Sequence, residues 1–481
     1  MKKYGYVIIS LMILCLVGLS KVKKDNEMEE SLIKKDIVEL IWYQPGEETK
    51  DLMLVEDALN AYTSDKIGVT VDIRPIAFSD YSQHMKQIMN SNQAYDLAFT
   101  SEGINNYVDA VQNDEFLILN ELLQIHGQDM MKEIDDIFWN GIRVNQKIYG
   151  VPTQKEAIYM PMWVFREEYI NEYNIPYEDV WELEDLEPHL QTIRIHEKGV
   201  IPLQLDKTFK LPSHFQEIAP GVGYDYRTRK IEIEKIYESD EMLAQFNQMH
   251  QYYKRGYVNS DATQVTSVND DSKQFITLKS GQPYAQYSWS HQLGYDVVAR
   301  NAMTDFVVTN QSIRSAITAI SSQTKYPEEA MQFLNLLHTD EYVINLLIYG
   351  IEGIHYKKIG DTVIQLMPQS QDYIVPNYVQ GNLFLSYTIE EEPVNKWEAF
   401  EDVNEKAHKS LLLGFDFDPS YVEREVSELE RIINVFSRGL NTGTLDPNVY
   451  IPKLNEMLTQ AGIDEVVTEI ERQVNLWLEE Q

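Results

Sequence analysis

From residue 37 onward, hydrophobic and polar positions alternate between two periods. "IVELIWY" (37–43) is an unbroken β-prone run, as expected of a strand buried on both faces. Pro45 and Gly46 interrupt it. Leu52, Val55, Leu59 and Tyr62 then recur at 3-4-3 spacing, the stripe of an amphipathic helix. "VTVDIRPI" (69–76) predicts a second strand. Ser79 is positioned to cap a helix with Tyr81, Met85 and Ile88 inward, and "YDLAFTS" (95–101) predicts a third strand. Strands separated by helical crossovers of this length imply a parallel sheet covered by helices, so the fold class is α/β.

The stretch "NQKIYGVPTQKE" (145–156) breaks this order. Gly150 and Pro152 fix two backbone positions between a β-like "KIYG" and a new apolar segment, "AIYMPMWVFREEYI". It reads either as an ordinary turn or as a crossing between two lobes, and a chain of 481 residues exceeds what one core usually organises. Beyond residue 300, extended and helical segments recur. Pro327 opens a helix at its first position, with Ala330, Phe333, Leu334 and Leu337 buried. The last 65 residues read as helices. Val422, Val426, Leu429, Ile433, Phe436 and Leu440 stripe the first, Ile451, Leu454, Leu458 and Ala461 the second, which Gly462 ends. A third starts at Asp464 and buries Val467, Ile470 and Val474.

Charge narrows the partners. The formal net charge of −35, from 76 acidic and 41 basic side chains, repels phosphate backbones, so no nucleic-acid partner is expected. The only cysteine, Cys15, lies in the amino-terminal apolar run, which excludes disulfides and cysteine-based zinc sites from the body of the protein. Residues 1–24 have the layout of an export signal or short membrane anchor: "MKKYG", then fifteen apolar-rich residues, then "KVKKDNEMEE". Leu14 precedes Cys15 where a lipoprotein signal places a small residue, and Lys21 follows Ser20.

The sequence has no phosphate-cradling glycine loop, HExxH pair, EF-hand loop or GxSxG elbow, and neither a cofactor nor a metal is expected. Glycosidase carboxylates are defined by separation in space, so sequence alone picks no pair out of 76 acids. Aromatics are more informative. Trp42 and Tyr43 end the first predicted strand, and Thr100 and Ser101 the third; at that edge of an open parallel sheet ligands bind. Flat rings with one polar handle suit neutral ligands such as sugars. Trp42 reads equally as core filling between sheet and helix.

Several segments together resemble the family 1 extracellular solute-binding proteins of bacterial ABC importers, in particular a Firmicutes branch of sugar-binding, lipoprotein-like members that ends in a domain of unknown function. They are "WYQPGEETKDLMLVEDALNAYTSDKIGVTVDIRPIAFSDYSQHMKQIMNSNQAYDLAFTS", "FWNGIRVNQKIYGVP", "LLIYGIEGIHYKKIGD", "VQGNLF", "LGFDFDPS" and "GLNTGTLDP" with the helices after it. The family's usual lipidated cysteine is not recognisable here. The resemblance implies a two-lobed, periplasmic-binding-protein-like fold of type II with a helical carboxy-terminal region. It divides the chain into a first lobe of 36–150 plus about 305–350, a second of 151–304 plus about 351–410, and helices over 411–481 packed on the second lobe. "KIYGVP" then becomes the first crossing, with Gly150 and Pro152 as hinge residues.

Ligand is expected in the cleft between the lobes. The first lobe would contribute Trp42, Tyr43, Thr100 and Ser101. From the second come Lys155 and Glu156, then Tyr284, Tyr287 and Trp289 of the strand-like "PYAQYSW", with Glu352 and Gln380 beside turn glycines. The implied function is non-enzymatic: an exported, monomeric receptor on the outer face of a Gram-positive cytoplasmic membrane, anchored by its amino terminus or released, delivering an oligosaccharide to an ABC permease. The alternatives are a sensory receptor for a membrane histidine kinase and a glycan-active hydrolase.

Overall fold

The computed structural model describes residues 37–91, 93–266 and 273–480, so the segment read as an export signal lies outside it. Nine strands build two principal sheets: β1 (Val38–Pro45), β2 (Val69–Ile76), β3 (Leu97–Thr100), β4 (Gly150–Pro152), β5 (Met160–Arg166), β6 (Ile201–Leu203), β7 (Gln274–Gly281), β8 (Val297–Asn301) and β9 (Ile317–Ile320). The first sheet has the order β2-β1-β3-β9-β4 and the second β8-β5-β7-β6. The three strands read from the apolar runs therefore share one sheet, with β1 parallel to both neighbours.

The sequence periods translate directly into layers. Helix Leu52–Ile67 lays Val55 and Leu59 on the first sheet and ends at Gly68, whose φ of 73° closes the helix in the left-handed region. Helix Tyr81–Asn90 buries Tyr81, Met85 and Ile88, with Asp80 rather than Ser79 at its N-cap position. Helix Pro327–Thr339 starts at its proline and buries Ala330, Phe333, Leu334 and Leu337. The carboxy-terminal helices Glu423–Asn441, Pro447–Gln460 and Ile463–Glu479 bury Leu429, Phe436, Leu454 and Ile470 in a second core, together with Phe246 and Met249 of helix Asp240–Lys254. Their inward faces are rotated slightly from the sequence reading, since Ile432 and Val466 are buried where Ile433 and Val467 were expected.

Two expectations are corrected. "PYAQYSW" is not a strand. Gly281, Gln282 and Pro283 end β7, Tyr284 takes a φ of 65°, and Ala285–Leu293 is a helix that buries Ala285 and Trp289 four residues apart. The sequence reading also places 351–410 on the second lobe, yet Tyr373, Val379 and Leu383 belong to the first core. Gly350, at φ 76°, reverses the chain after helix Glu341–Tyr349. The chain then packs back on that helix, where Tyr373 Oη donates to Leu347 O at 2.9 Å and Asn345 Nδ2 to Leu385 O at 3.0 Å.

Candidate functional site

Strand direction locates a cleft. β9 is antiparallel to β3, and β4 is antiparallel to β9, so β4 runs with β1, β2 and β3. The carboxyl end of β4 leads through residues 153–159 into the start of β5. In the second sheet β7 and β8 are antiparallel to β5, and β6 is parallel to β7. Strands β7 and β8 therefore end beside the start of β5, and β6, running with β7 at the sheet's edge, points toward the same side. The carboxyl edges of both sheets meet at the crossing, which is where open α/β sheets bind ligands.

The first-lobe residues chosen from sequence face away from that edge. β1 runs to Pro45, two residues past the predicted end, so Trp42 is a mid-strand residue paired with Ile73 and Leu97. It is fully buried, edge-on to Phe333 at 5.6 Å between ring centroids, and belongs to the core. Tyr43 is buried on the opposite face, its hydroxyl accepting from Arg74 Nη1 at 3.1 Å and Gln93 Nε2 at 2.9 Å. Thr100 and Ser101 fold the turn after β3: Thr100 Oγ1 donates to Asn105 O, and Ser101 Oγ accepts from Ile104 N at 2.9 Å. All four are buried, and the hydroxyls of Tyr43, Thr100 and Ser101 are already bonded to the protein.

The remaining choices lie nearer to it. Lys155 and Glu156 sit on the crossing itself, half-buried, with Lys155 Nζ 3.0 Å from Glu156 Oε1. Tyr284 and Tyr287 follow the end of β7, Tyr287 being 45% exposed, whereas Trp289 is core. Gln380 is buried at the carboxyl end of β1, donating to Gln44 Oε1 at 2.9 Å. Glu352 is exposed on the turn whose His355 lies 3.3 Å from Asp51, just before the helix that follows β1.

The edge also presents residues the sequence reading missed. Phe78, directly after β2, is 53% exposed, and Tyr159, the last residue before β5, is 60% exposed. Tyr159 is exposed yet flanked by protein, and desolvation raises its phenol above the ordinary value. Glu102, just after β3, is held above the usual carboxylate range because burial outweighs the attraction of Arg314. One signal was available: Tyr159 is an aromatic inside the crossing, three residues beyond Glu156.

Three segments cross between the lobes, and side chains tie them together. The first is 153–159. The second, 302–316, runs from Ala302 and Met303 in one core to Val308 and Ile313 in the other, and the third leads from Ala407 to Leu412. Val307–Val308 pairs in parallel with His408–Lys409. Asn404 Oδ1 accepts from Ala157 N at 2.7 Å, and its Nδ2 donates to Lys155 O at 2.8 Å. The buried Arg314 holds Asp416 at 2.5 and 3.0 Å and donates to Gly141 O at 2.8 Å and Arg143 O at 2.7 Å. The loop entering the carboxy-terminal helices is thus fastened to the first lobe while the helices themselves pack in the second core.

The hinge assignment is corrected accordingly. Gly150 and Pro152 are strand residues of β4, paired with Ala319 and Ile317. Gly150 is there for close packing: a Cβ on it would lie 2.4 Å from Ile317 Cγ2, and its φ is not positive. The chain leaves the sheet only after Pro152. Among the described residues, no group of three or more His, Cys, Asp and Glu side chains is placed to hold a metal ion, and no helix is long and apolar enough to cross a membrane.

Comparison with known proteins agrees with this geometry. The family model described as "Bacterial extracellular solute-binding protein" matches residues 57–351, and a domain of unknown function, DUF3502, matches 411–479. A carbohydrate ABC transporter substrate-binding protein of Streptococcus pneumoniae serotype 4 is 27% identical over 99% of this chain and 98% of its own. The N-glycan transport solute binding protein NgtS of S. pneumoniae is 26% identical, over 92% of this chain and 99% of that one, and superposes with a TM-score of 0.85. Its complexes with Man1GlcNAc and Man5GlcNAc superpose less well, at 0.74 and 0.70. With a type II two-lobed α/β fold, facing carboxyl edges and a family match over more than half its length, the chain belongs to the bacterial extracellular solute-binding proteins.

Proposed function

We propose that the protein is the solute receptor of an ABC importer, capturing an oligosaccharide between its two lobes and presenting the closed form to a membrane permease. The observation that carries this reading is a likeness that spans both chains almost entirely yet depends on ligand state. The TM-score is 0.85 to NgtS described without a ligand and 0.74 and 0.70 to its glycan complexes. Identity and coverage are the same in all three, and the form described without a ligand is the one this structure superposes on best, which fits a receptor that has not taken up its solute. Glycan shifts such a receptor toward closure by its differential affinity for the closed state. Exposed aromatics at the facing edges, Phe78, Tyr159 and Tyr287, suit the apolar faces of sugar rings. The solute is bound and released unchanged by a monomer on the outer face of a Gram-positive cytoplasmic membrane.

A thermal-shift screen tests the reading. A ligand at a hundred times its Kd stabilises the folded state by about 2.7 kcal/mol. Mannose- and N-acetylglucosamine-containing oligosaccharides should raise the melting temperature, and peptides should not. A shift with peptides and none with any glycan would remove the assignment.

A further inference from the structure

The second lobe carries a depression of about 200 Å3 at the carboxyl ends of β6 and β7, directly beside the first crossing. Tyr159, Asp206, Thr208, Lys210, Lys279 and Ser280 form its polar part. Its size is informative. Sites for drug-sized ligands run to about 300–1,000 Å3, so this one has room for a single sugar ring and none for a chain.

The chemistry of the lining fits such a ring. Tyr159 offers an exposed aromatic ring on the crossing, 60% accessible, and the protein near its hydroxyl raises the phenol's pKa. Asp206 Oδ1 is fixed by Thr208, accepting from its N at 2.8 Å and its Oγ1 at 2.5 Å. Those bonds leave Asp206 Oδ2 without a protein donor among the described residues. Lys279 is half-buried on β7, and neither it nor Lys210 is paired with a carboxylate among the described residues, in a chain with 76 acids. A pyranose presents an apolar C–H face and, around its rim, hydroxyls that both donate and accept. An aromatic platform, a free carboxylate oxygen and free ammonium donors complement those three features.

We propose that this depression is the second lobe's monosaccharide subsite, seating one neutral pyranose unit of a glycan stacked on Tyr159, with Asp206 and Lys279 reading its hydroxyls. The inference rests on the oligosaccharide-receptor reading and adds the residues that set specificity. The remainder of the glycan runs across the cleft toward Phe78 and Glu102, so affinity grows with chain length and a free monosaccharide binds weakly.

Calorimetric titration of the whole protein with Man5GlcNAc tests it, using Tyr159→Ala, Tyr159→Phe, Asp206→Asn and Ser280→Trp, the last filling the depression. Tyr159→Ala and Asp206→Asn are each expected to weaken binding about tenfold, equivalent to ~1.4 kcal/mol. Ser280→Trp should weaken it at least as much, and Tyr159→Phe should stay near wild type. All three sites reach the surface, so melting temperatures without glycan should match. Wild-type affinity in the Ala, Asn and Trp variants overturns the subsite and leaves the receptor reading intact. Failure of the wild type to bind any glycan overturns both. If Tyr159→Ala also melts lower, Asp206→Asn and Ser280→Trp decide the outcome.

Discussion

Replacing Trp42 by alanine separates core from cleft at the residue the sequence made most attractive as a ligand contact. The indole is fully buried between the first sheet and helix Pro327–Thr339. Truncating a buried tryptophan to alanine costs about 3–5 kcal/mol, of which the edge-on contact with Phe333 accounts for ~0.5–1.5 kcal/mol. One feature pulls the other way: Trp42 Nε1 has no acceptor among the protein atoms. A buried donor left unmade costs ~1–3 kcal/mol, so removing it returns part of the loss. The Ala variant should therefore fall at the lower end of the range, and Trp42→Phe, which keeps a ring and loses only the orphan N–H and some volume, should cost less than ~1.5 kcal/mol. For a lobe of 150–250 residues each kcal/mol corresponds to roughly 2–4 °C, so Trp42→Ala should melt on the order of 6–12 °C lower. Calorimetry well below that temperature should show unaltered glycan affinity. A variant that melts like wild type but no longer binds would mean that Trp42 faces the ligand and that the strand register places it wrongly.

Gly150→Val is expected to destabilise the first lobe by about 1–3 kcal/mol through overpacking against Ile317, while glycan-induced compaction of the folded variant stays at the wild-type value; normal stability with lost compaction would restore the hinge assignment. Asp416→Asn removes the nearer of the two carboxylates beside the buried Arg314, leaving Glu102 at 3.5 Å, and should cost ~1–3 kcal/mol in urea unfolding, whereas an effect below ~0.5 kcal/mol would show that the fastening is weak. His338 is a probe of acid stability. Burial lowers its pKa to about 3, so as pH falls below ~6.5 the unfolded chain takes up a proton that the folded state refuses, and stability is lost between 6.5 and 3. At pH 5 this loss is about 2 kcal/mol, and His338→Leu should remove it; unfolding midpoints at pH 7.5 and 5 that fall equally in both proteins would contradict the assignment.

The first sheet was legible because its strands are continuous apolar runs flanked by helical stripes, and 69–76 is a strand over the very residues expected. The site was less legible, for a geometric reason. Ligands meet strand ends, and the end of β1 lies at Pro45 instead of Tyr43, a two-residue difference that local propensity does not resolve. Side chains alternate across a sheet, so Trp42 and Tyr43 both stayed inside it, on opposite faces. Tyr284 and Tyr287 came to the edge for a reason other than the one read, because the glycine and proline before them end β7 and start a helix. Tyr159, Asp206 and Lys279 are distant in sequence and converge only through the pairing of β6, β7 and β5. The fastening of Arg314 to Asp416, 102 residues apart, leaves no trace in periodicity.

Small-angle scattering of the whole protein, titrated with Man5GlcNAc, tests the central claim most directly. Two lobes joined by three crossing segments should close over bound glycan. The account predicts a fall in radius of gyration that saturates at the same glycan concentration as the calorimetric heat. Saturable binding with an unchanged scattering profile would contradict capture by lobe closure.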